Sequence, residues 1–282
     1  MRRLPAAAVA CAILTPALLA QQATFSSRAE AVRVDVSVTQ RGRPVAGLTA
    51  HDFEVFDNGV RQELLLVDTE DIPVDLVMAL DTSGSVSGDR LDDLRDASQA
   101  ALGFLMPRDR AGLLTFSHEV TQQSPLTADF AALRRALDVP LDSGRTALVD
   151  AAYAALAQAD GGTGRALAIM FSDGVDTASW LRAEDVIETA KRLDVVMFGI
   201  STGAPKRNVL DDLADASGGD LIRIESTREL TVTLQKLMTE FRQRYLLSFT
   251  PQGVERGGWH KLEVRVKRRG HAVKARAGYF SS

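Results

Sequence analysis

The sequence predicts an α/β protein in which a mostly parallel, doubly wound sheet is inserted between two β segments. Over residues 72–240, short apolar runs typical of buried strands alternate with stretches that have helical periodicity. Residues 31–70 and 243–280 instead alternate apolar and polar positions, as half-buried strands do. Each flanking segment is too short to bury a core by itself. We therefore expect the two segments to pair into a small β-sandwich.

The first 20 residues have the pattern of an export signal. Two arginines precede an apolar stretch over residues 6–20, and small residues favour cleavage near positions 20–23. The stretch is shorter than the roughly 20 apolar residues that a transmembrane helix needs, and it contains Pro16. The alternatives are an uncleaved anchor and a lipid attached at Cys11. We expect an exported protein that is periplasmic, secreted or on the cell surface.

Composition narrows the classes of function. The chain has 282 residues, of which 45% are hydrophobic, so it can bury a substantial core. Cys11 is the only cysteine, and cleavage of the signal would leave no disulfide, catalytic thiol or Cys-based zinc site. The net charge is −4, and the sequence has no nucleic-acid-binding motif and no second apolar run of membrane length. We expect neither a nucleic-acid partner nor a transmembrane span in the mature chain.

The flanking segments contain clear strand patterns. Valines recur at every second position from Val32 to Val38, and Asn58-Gly59 between two apolar runs predicts a hairpin. The C-terminal segment has further strand patterns at 245–250, 259–266 and 272–277. These patterns favour strand pairing between the two segments.

The central region predicts an alternation of strands and helices. Strands are predicted at 74–80, 110–117, 119–123, 165–171, 195–200 and 220–224, with the strand at 119–123 antiparallel to the one before it. Helices are predicted at 89–105, 128–138, 147–158, 183–193, 208–216 and 228–241. This order is typical of a doubly wound sheet, in which ligands bind outside the carboxyl ends of the strands.

Oxygen-bearing side chains follow the first of these strands. Asp81-Thr82-Ser83-Gly84-Ser85 comes directly after the apolar run at 74–80. Gly84 permits a turn tight enough for Ser83 and Ser85 to face the same point. One carboxylate and two hydroxyls are hard ligands, which suit Mg²⁺, Ca²⁺ or Mn²⁺.

Two further loops carry matching groups. Thr146 precedes the helix at 147–158, and Asp173 follows the strand at 165–171. Taken singly, Thr146 is explained as a helix N-cap and Asp173 as a turn residue before a glycine. Together with the segment that begins at Asp81, these loops give three oxygen-bearing motifs, which follow one another along the chain at Asp81, Thr146 and Asp173.

The three motifs resemble the metal-ion-dependent adhesion site of von Willebrand factor A domains and integrin I domains. That family usually has G-G-T or G-x-T at the second motif. Here Arg145 occupies the middle position, a mild departure that places a cation near the metal rim. The flanking segments 47–59 and 275–279 resemble those of bacterial exported proteins with such a domain. The resemblance implies a Rossmann-like α/β domain that binds protein or matrix outside the cytoplasm.

The resemblance also implies a ligand set. Ser83, Ser85 and Thr146 would coordinate through their hydroxyls, and Asp81 and Asp173 would coordinate directly or through water. Mg²⁺ is the expected ion, with Mn²⁺ or Ca²⁺ as alternatives. The remaining ligand in the family is often an Asp or Glu of the partner, so we expect a protein or matrix ligand with an exposed carboxylate.

We therefore expect a binding module that is not an enzyme. One alternative is a structural subunit of an envelope assembly whose metal site is vestigial. Another is a metal-assisted hydrolase, for which His118 is the most plausible base. The segment 80–84 also resembles the D-T-G loop of aspartic proteases, but a helical pattern follows it and serine replaces the required glycine. Related domains move their last helix on metal binding; here its apolar stripe from Leu230 to Phe241 is explained by packing alone.

Overall fold

A computed structural model describes residues 31–68, 72–84, 89–138, 144–172, 175–202 and 207–281. Within these ranges the strands are β1 Val32–Gln40, β2 Arg43–Pro44, β3 Phe53–Asp57, β4 Val60–Gln62, β5 Leu64–Asp68, β6 Val74–Asp81, β7 Arg110–Phe116, β8 Val120–Thr127, β9 Arg165–Phe171, β10 Val195–Thr202, β11 Leu221–Ile224, β12 Tyr245–Phe249, β13 Gly258–Val266, β14 Ala272–Lys274 and β15 Gly278–Ser281. The α-helices are α1 Asp89–Leu102, α2 Phe130–Ala136, α3 Leu148–Asp160, α4 Ala183–Arg192, α5 Val209–Ser217 and α6 Leu230–Arg242. The predicted export signal lies outside the described residues.

The central sheet has six strands in the order β11-β10-β9-β6-β7-β8. Neighbouring strands in this sheet pair in parallel, except that β8 runs antiparallel to β7. All eight residues of β6 are buried, which explains why this strand is an almost continuous apolar run rather than an alternating one. The predicted α/β class and the mostly parallel sheet are confirmed.

Helices cover both faces of the central sheet. One hydrophobic core unites the sheet with α1, α2 and α6, and includes the buried side chains of Leu94 and Leu133. A second core unites the opposite face with α3, α4 and α5, and includes Leu148 and Leu213. Burying a leucine side chain contributes about 1.5–3 kcal/mol. The two cores therefore fix the sheet as a rigid platform for the loops at its ends.

The flanking segments form two antiparallel sheets that share a third core. One sheet has the order β14-β1-β12-β5, with β2 beside β1, and the other has the order β15-β13-β3-β4. Strand β1 pairs with β12, and β3 pairs with β13, so each sheet joins chain from before and after the central domain. Val34, Val55 and Leu247 are fully buried between the sheets. The predicted β-sandwich with an inserted α/β domain is confirmed.

Two features of the sandwich differ from the sequence predictions. The strand predicted at 272–277 begins as predicted but ends at Lys274, because the chain then leaves β14 and enters the other sheet as β15. Strand β5 was not predicted because the adjacent Leu65 and Leu66 are both apolar and both exposed, which obscures the expected alternation.

A buried ion cluster joins the sandwich to the α/β domain. The Asp35 carboxylate of β1 lies 2.8 Å from Nη2 of Arg165 and 2.7 Å from Nε of Arg244. All three side chains are buried, and desolvation by burial lowers the pKa of Arg244 despite the attraction of Asp35. Arg165 is the first residue of β9. This contact therefore lies at the amino end of that strand, at the opposite edge of the sheet from the loops that follow Asp81 and Ser172.

Candidate metal site

Asp81 is the last residue of β6 and is fully buried. Its Oδ1 accepts a hydrogen bond from the Ser83 N–H at 2.9 Å, and its Oδ2 accepts one from the Ser172 hydroxyl at 2.8 Å. Because both oxygens are held, the carboxylate has a fixed orientation before any ligand arrives. The β6–β9 register places Leu80 opposite Phe171, which brings Asp81 beside Ser172 at the next position.

The loop after Asp81 is fastened to the neighbouring strand β7. The Thr82 N–H donates to the Phe116 carbonyl at 2.8 Å, and the Thr82 hydroxyl donates to the same oxygen at 3.2 Å. Ser83 is buried directly after this anchor. Ser85, the last residue of the predicted first motif, lies outside the described residues.

Thr146 is buried in the loop before α3. Its N–H donates to the Thr177 hydroxyl at 2.9 Å, and its carbonyl accepts from the N–H groups of Thr177 and Ala178 at 2.9 and 3.1 Å. The next residue, Ala147, donates its N–H to the Ser117 carbonyl at 2.6 Å. Since Ser117 follows Phe116, the first and second motif loops are both anchored at the carboxyl end of β7.

The N-cap explanation of Thr146 is wrong, because other residues cap α3. Ala147 occupies the N-cap position and makes no side-chain cap. Asp176 Oδ1 accepts from the Leu148 N–H at 2.9 Å, and the Ser179 hydroxyl accepts from the Val149 N–H at 3.0 Å. The orphan donors of this helix end are thus satisfied by a loop about 30 residues later in the chain. The Thr146 side chain is not needed for that purpose.

Ser172 connects the third motif to the first. It is fully buried at the end of β9 and donates its hydroxyl to Asp81. In the sequence, Ser172 stands between the strand at 165–171 and Asp173-Gly174, and no role was predicted for it. Asp173 and Gly174, which complete that motif, lie outside the described residues.

The described part of the set therefore consists of Asp81, Ser83 and Thr146, each buried at one edge of the sheet. A fixed carboxylate with neighbouring hydroxyls is an oxygen donor set that fits a hard divalent cation. Among the described ranges, no group of three His, Cys, Asp or Glu side chains could hold a metal ion. The predicted set contains only two carboxylates, and Asp173 is one of them.

His118 lies against the second motif loop. Its Nδ1 is 3.3 Å from the Ser117 hydroxyl, and its Nε2 is 3.9 Å from the exposed carboxylate of Glu119. A Cβ at Gly144 would lie 2.7 Å from Nδ1, so the imidazole packs closely over this glycine. The predicted base of a metal-assisted hydrolase is therefore near the loop of Thr146, with half of its side chain exposed.

Arg145 departs from the family pattern without disturbing the loop. Its side chain is exposed, and its Nη1 donates to the Thr177 carbonyl at 3.5 Å. The guanidinium thus lies beside the backbone of the loop that caps α3, and it contributes positive charge to this edge of the sheet.

Comparison with known proteins agrees with the fold. A family model for the von Willebrand factor type A domain matches residues 75–238, which is more than half of the chain. The chain therefore belongs to the von Willebrand factor type A domain family. No curated protein sequence matches it significantly.

Two solved structures illustrate the likeness. A von Willebrand factor type A protein from Catenulispora acidiphila is 14% identical with a TM-score of 0.56, and the match covers 90% of this chain and 75% of that one. Proximal thread matrix protein 1 from the mussel byssus, solved with a zinc-occupied MIDAS motif, is 15% identical with a TM-score of 0.55, and the match covers 64% of this chain and 48% of that one. At these identities the likeness establishes the fold.

Proposed function

We propose that this chain is an exported, non-enzymatic binding module that uses a divalent cation to hold a carboxylate of a protein or matrix partner. The observation that supports this proposal best is the position of Asp81, a fully buried carboxylate that lies at the carboxyl end of a central strand and is oriented by Ser83 and Ser172. Such a position is where ligands bind in open α/β sheets.

Each residue of the proposed ligand set has a distinct role in binding the cation. Asp81 supplies a fixed negative charge, and Ser83 and Thr146 supply neutral oxygens. Ser85 and Asp173 complete the proposed ligand set. When bound, Mg²⁺ would supply an electrophilic centre that accepts one more oxygen ligand. Because most of the proposed protein ligands are neutral hydroxyls, the ion keeps enough charge to attract a carboxylate from outside.

Export of the module rests on the sequence of the first 20 residues. Within the described ranges, no helix is long and apolar enough to cross a membrane. We propose that the binding edge, which lies opposite the β-sandwich contact, faces the extracytoplasmic partner.

Calorimetric titration with Mg²⁺ and Mn²⁺ tests the proposal. The informative variant is Asp81→Asn, because asparagine keeps the shape and can still bond to Ser172 while it removes the charge. We expect binding by the wild type and none by the variant. Asp96→Asn on the exposed face of α1 makes the same change of charge away from the site and is the matched control.

A thermal-unfolding series gives an independent readout of the same event. An ion present at 100 times its Kd stabilises the folded state by about 2.7 kcal/mol. We expect this gain in the wild type and in Asp96→Asn, and not in Asp81→Asn. Equal melting of wild type and Asp81→Asn at every ion concentration would contradict metal binding and favour a structural subunit with a vestigial site.

A metal-assisted hydrolase is the second candidate, and the close packing of His118 over Gly144 is the observation that favours it. His118→Ala distinguishes the two functions. A binding module keeps both metal and partner binding in this variant. Hydrolysis of an ester or phosphoester substrate that requires Mg²⁺ and is lost in His118→Ala would establish the enzyme instead.

A further inference from the structure

Four exposed apolar side chains lie on the loop that begins just after the third motif and on the adjacent helix α3. They are Val175, Tyr153, Trp180 and Leu181, with exposed fractions of 57%, 44%, 93% and 41%. We name this group the apolar collar. Trp180 contributes little to the cores of the domain, because almost all of its accessible surface faces solvent. Exposed apolar groups of this size mark interaction surfaces in soluble proteins.

The collar is presented by a loop that is fastened at several points. Thr177 and Ala178 bond to the backbone of Thr146, as described above. The Asp150 carboxylate of α3 accepts from the N–H groups of Trp180 at 3.0 Å and of Leu181 at 2.9 Å. The backbone beneath the tryptophan is therefore held from both α3 and the Thr146 loop.

This rigidity has an energetic consequence for binding. A partner that packs on Trp180 would order few additional backbone torsions, so little of the contact energy would be lost to entropy. Tryptophan is also among the residue types that dominate binding energy at interfaces. A rigid loop that displays one exposed tryptophan is thus suited to recognition.

Charges of both signs surround the collar. Asp150 and Asp176 accept hydrogen bonds from backbone N–H groups of α3 and of the loop, and an exposed Arg–Asp ion pair follows the loop at the start of α4. The Arg145 side chain is exposed and bonds to the Thr177 carbonyl, so it adds a positive charge to the same edge. A cation at the proposed site would face Asp81 and Asp173, so the preference for an acid comes from the oxygen ligand that the ion itself accepts and not from the charge of the collar.

We propose that the apolar collar is the second half of the binding surface, and that it selects a protein segment in which a large aliphatic or aromatic side chain accompanies the coordinating Asp or Glu. The inference rests on the proposed function, because the carboxylate of that segment is the group that would bind the cation. The metal site supplies the requirement for an acid, and Trp180 supplies the preference for its apolar neighbour.

A displayed library of random peptides, panned on the purified mature chain in Mg²⁺, tests this inference. We expect enrichment of sequences that contain an acid and a large apolar residue at fixed spacing, and loss of enrichment in chelator. The enriched peptides are then synthesised and titrated against wild type, Trp180→Ala, Asp81→Asn and Val232→Ala. Val232 is exposed on α6 and serves as the matched apolar control.

The variants separate the two proposals. We expect Trp180→Ala to weaken binding at least about tenfold and to abolish the preference for the apolar residue, while the need for Mg²⁺ and for the acid persists. Val232→Ala should bind like the wild type. A metal-dependent acidic motif that is indifferent to Trp180→Ala would overturn the collar and leave the proposed function intact.

Two other outcomes are also decisive. Binding that needs Trp180 but survives both chelator and Asp81→Asn would support the collar as a docking surface and contradict the metal bridge. Self-association of the wild type that is lost in Trp180→Ala, measured by analytical ultracentrifugation, would assign the collar to a second copy of this chain and overturn the acidic partner. Because the Trp180 ring is almost fully exposed, the variant should melt at the wild-type temperature.

Discussion

The substitution Asp35→Asn tests whether one buried carboxylate fastens the β-sandwich to the α/β domain. Asp35 lies in β1 of the sandwich and faces Arg165 and Arg244, which begin β9 and precede β12. The Arg165 guanidinium also donates to the Phe241 carbonyl at 3.1 Å, and that of Arg244 donates to the Gly218 carbonyl at 2.7 Å. Asparagine would keep the size of the side chain and remove its charge.

The expected loss follows from the burial of the two arginines. Their side chains are each only 4% exposed, so neither guanidinium regains water when its counter-ion disappears. Removing one partner from a buried ion pair costs about 3–5 kcal/mol. The carbonyl partners remain, so we expect the lower part of this range. The exposed pair of Arg182 and Asp185 provides a contrast, since Asp185→Asn should change stability much less.

Urea denaturation measures the effect with two reporters. Circular dichroism follows the helices of the α/β domain. Fluorescence of Trp259, recorded in a Trp180→Phe background so that it is the one emitting tryptophan, follows the sandwich, where its ring lies 5.3 Å from that of Phe280. We expect coincident transitions in the wild type and a sandwich transition at lower urea in Asp35→Asn. A loss of stability below about 1 kcal/mol, with coincident transitions, would refute the role of the ion cluster.

Three further predictions concern the ends of the central sheet. Burial raises the pKa of Asp75, but hydrogen bonds from its arginine partner Arg110 and from the Gly164 N–H outweigh it and lower the pKa overall. Asp75→Asn should therefore reduce stability by about 1–3 kcal/mol at pH 7, and urea midpoints should show the difference shrinking as the pH falls below the unfolded-state pKa of about 3.9. Asp176→Ala removes the cap of α3 and should cost about 0.5–2 kcal/mol in the same assay, and calorimetry should show weaker Mg²⁺ binding because the Thr146 loop loses its support. Gly144→Ala should displace the half-exposed His118 ring, seen as a changed imidazole resonance by NMR, with Mg²⁺ binding retained.

The fold was largely predictable because its central strands are buried on both sides. The β6 run carries little polar interruption, and the apolar groups of the helices recur at the period of a helix, so strands and helices separate cleanly. The predicted end of the strand at 272–277 was wrong for a tertiary reason. The chain changes sheets after Lys274, and no local pattern in the sequence records that change.

The candidate site was predictable in part. Asp81 and Thr146 follow local motifs. The structure places Asp81 at the end of β6 and Thr146 in the loop before α3, and the loops beside them are both anchored at the end of β7. The cap of α3 was not predictable, because Asp176 and Ser179 lie in a later loop and obey no local spacing rule. The same limit applies to the ion cluster, since Asp35 and Arg165 are 130 residues apart in the chain.

The contacts of α6, the last helix of the α/β domain, bear on whether this helix moves when a ligand binds. Its carboxyl end is held by two arginine contacts: Arg165 donates to the Phe241 carbonyl, and Arg242 forms an ion pair with the buried Asp109. A shift of α6 along its axis would break both contacts and disturb the Asp35 cluster beside them, at a cost of several kcal/mol. A ligand can move such an equilibrium only by as much as its affinities for the two states differ. Because the described candidate ligands Asp81, Ser83 and Thr146 lie at the opposite edge of the sheet, we expect the proposed binding edge to be preformed, with α6 stationary.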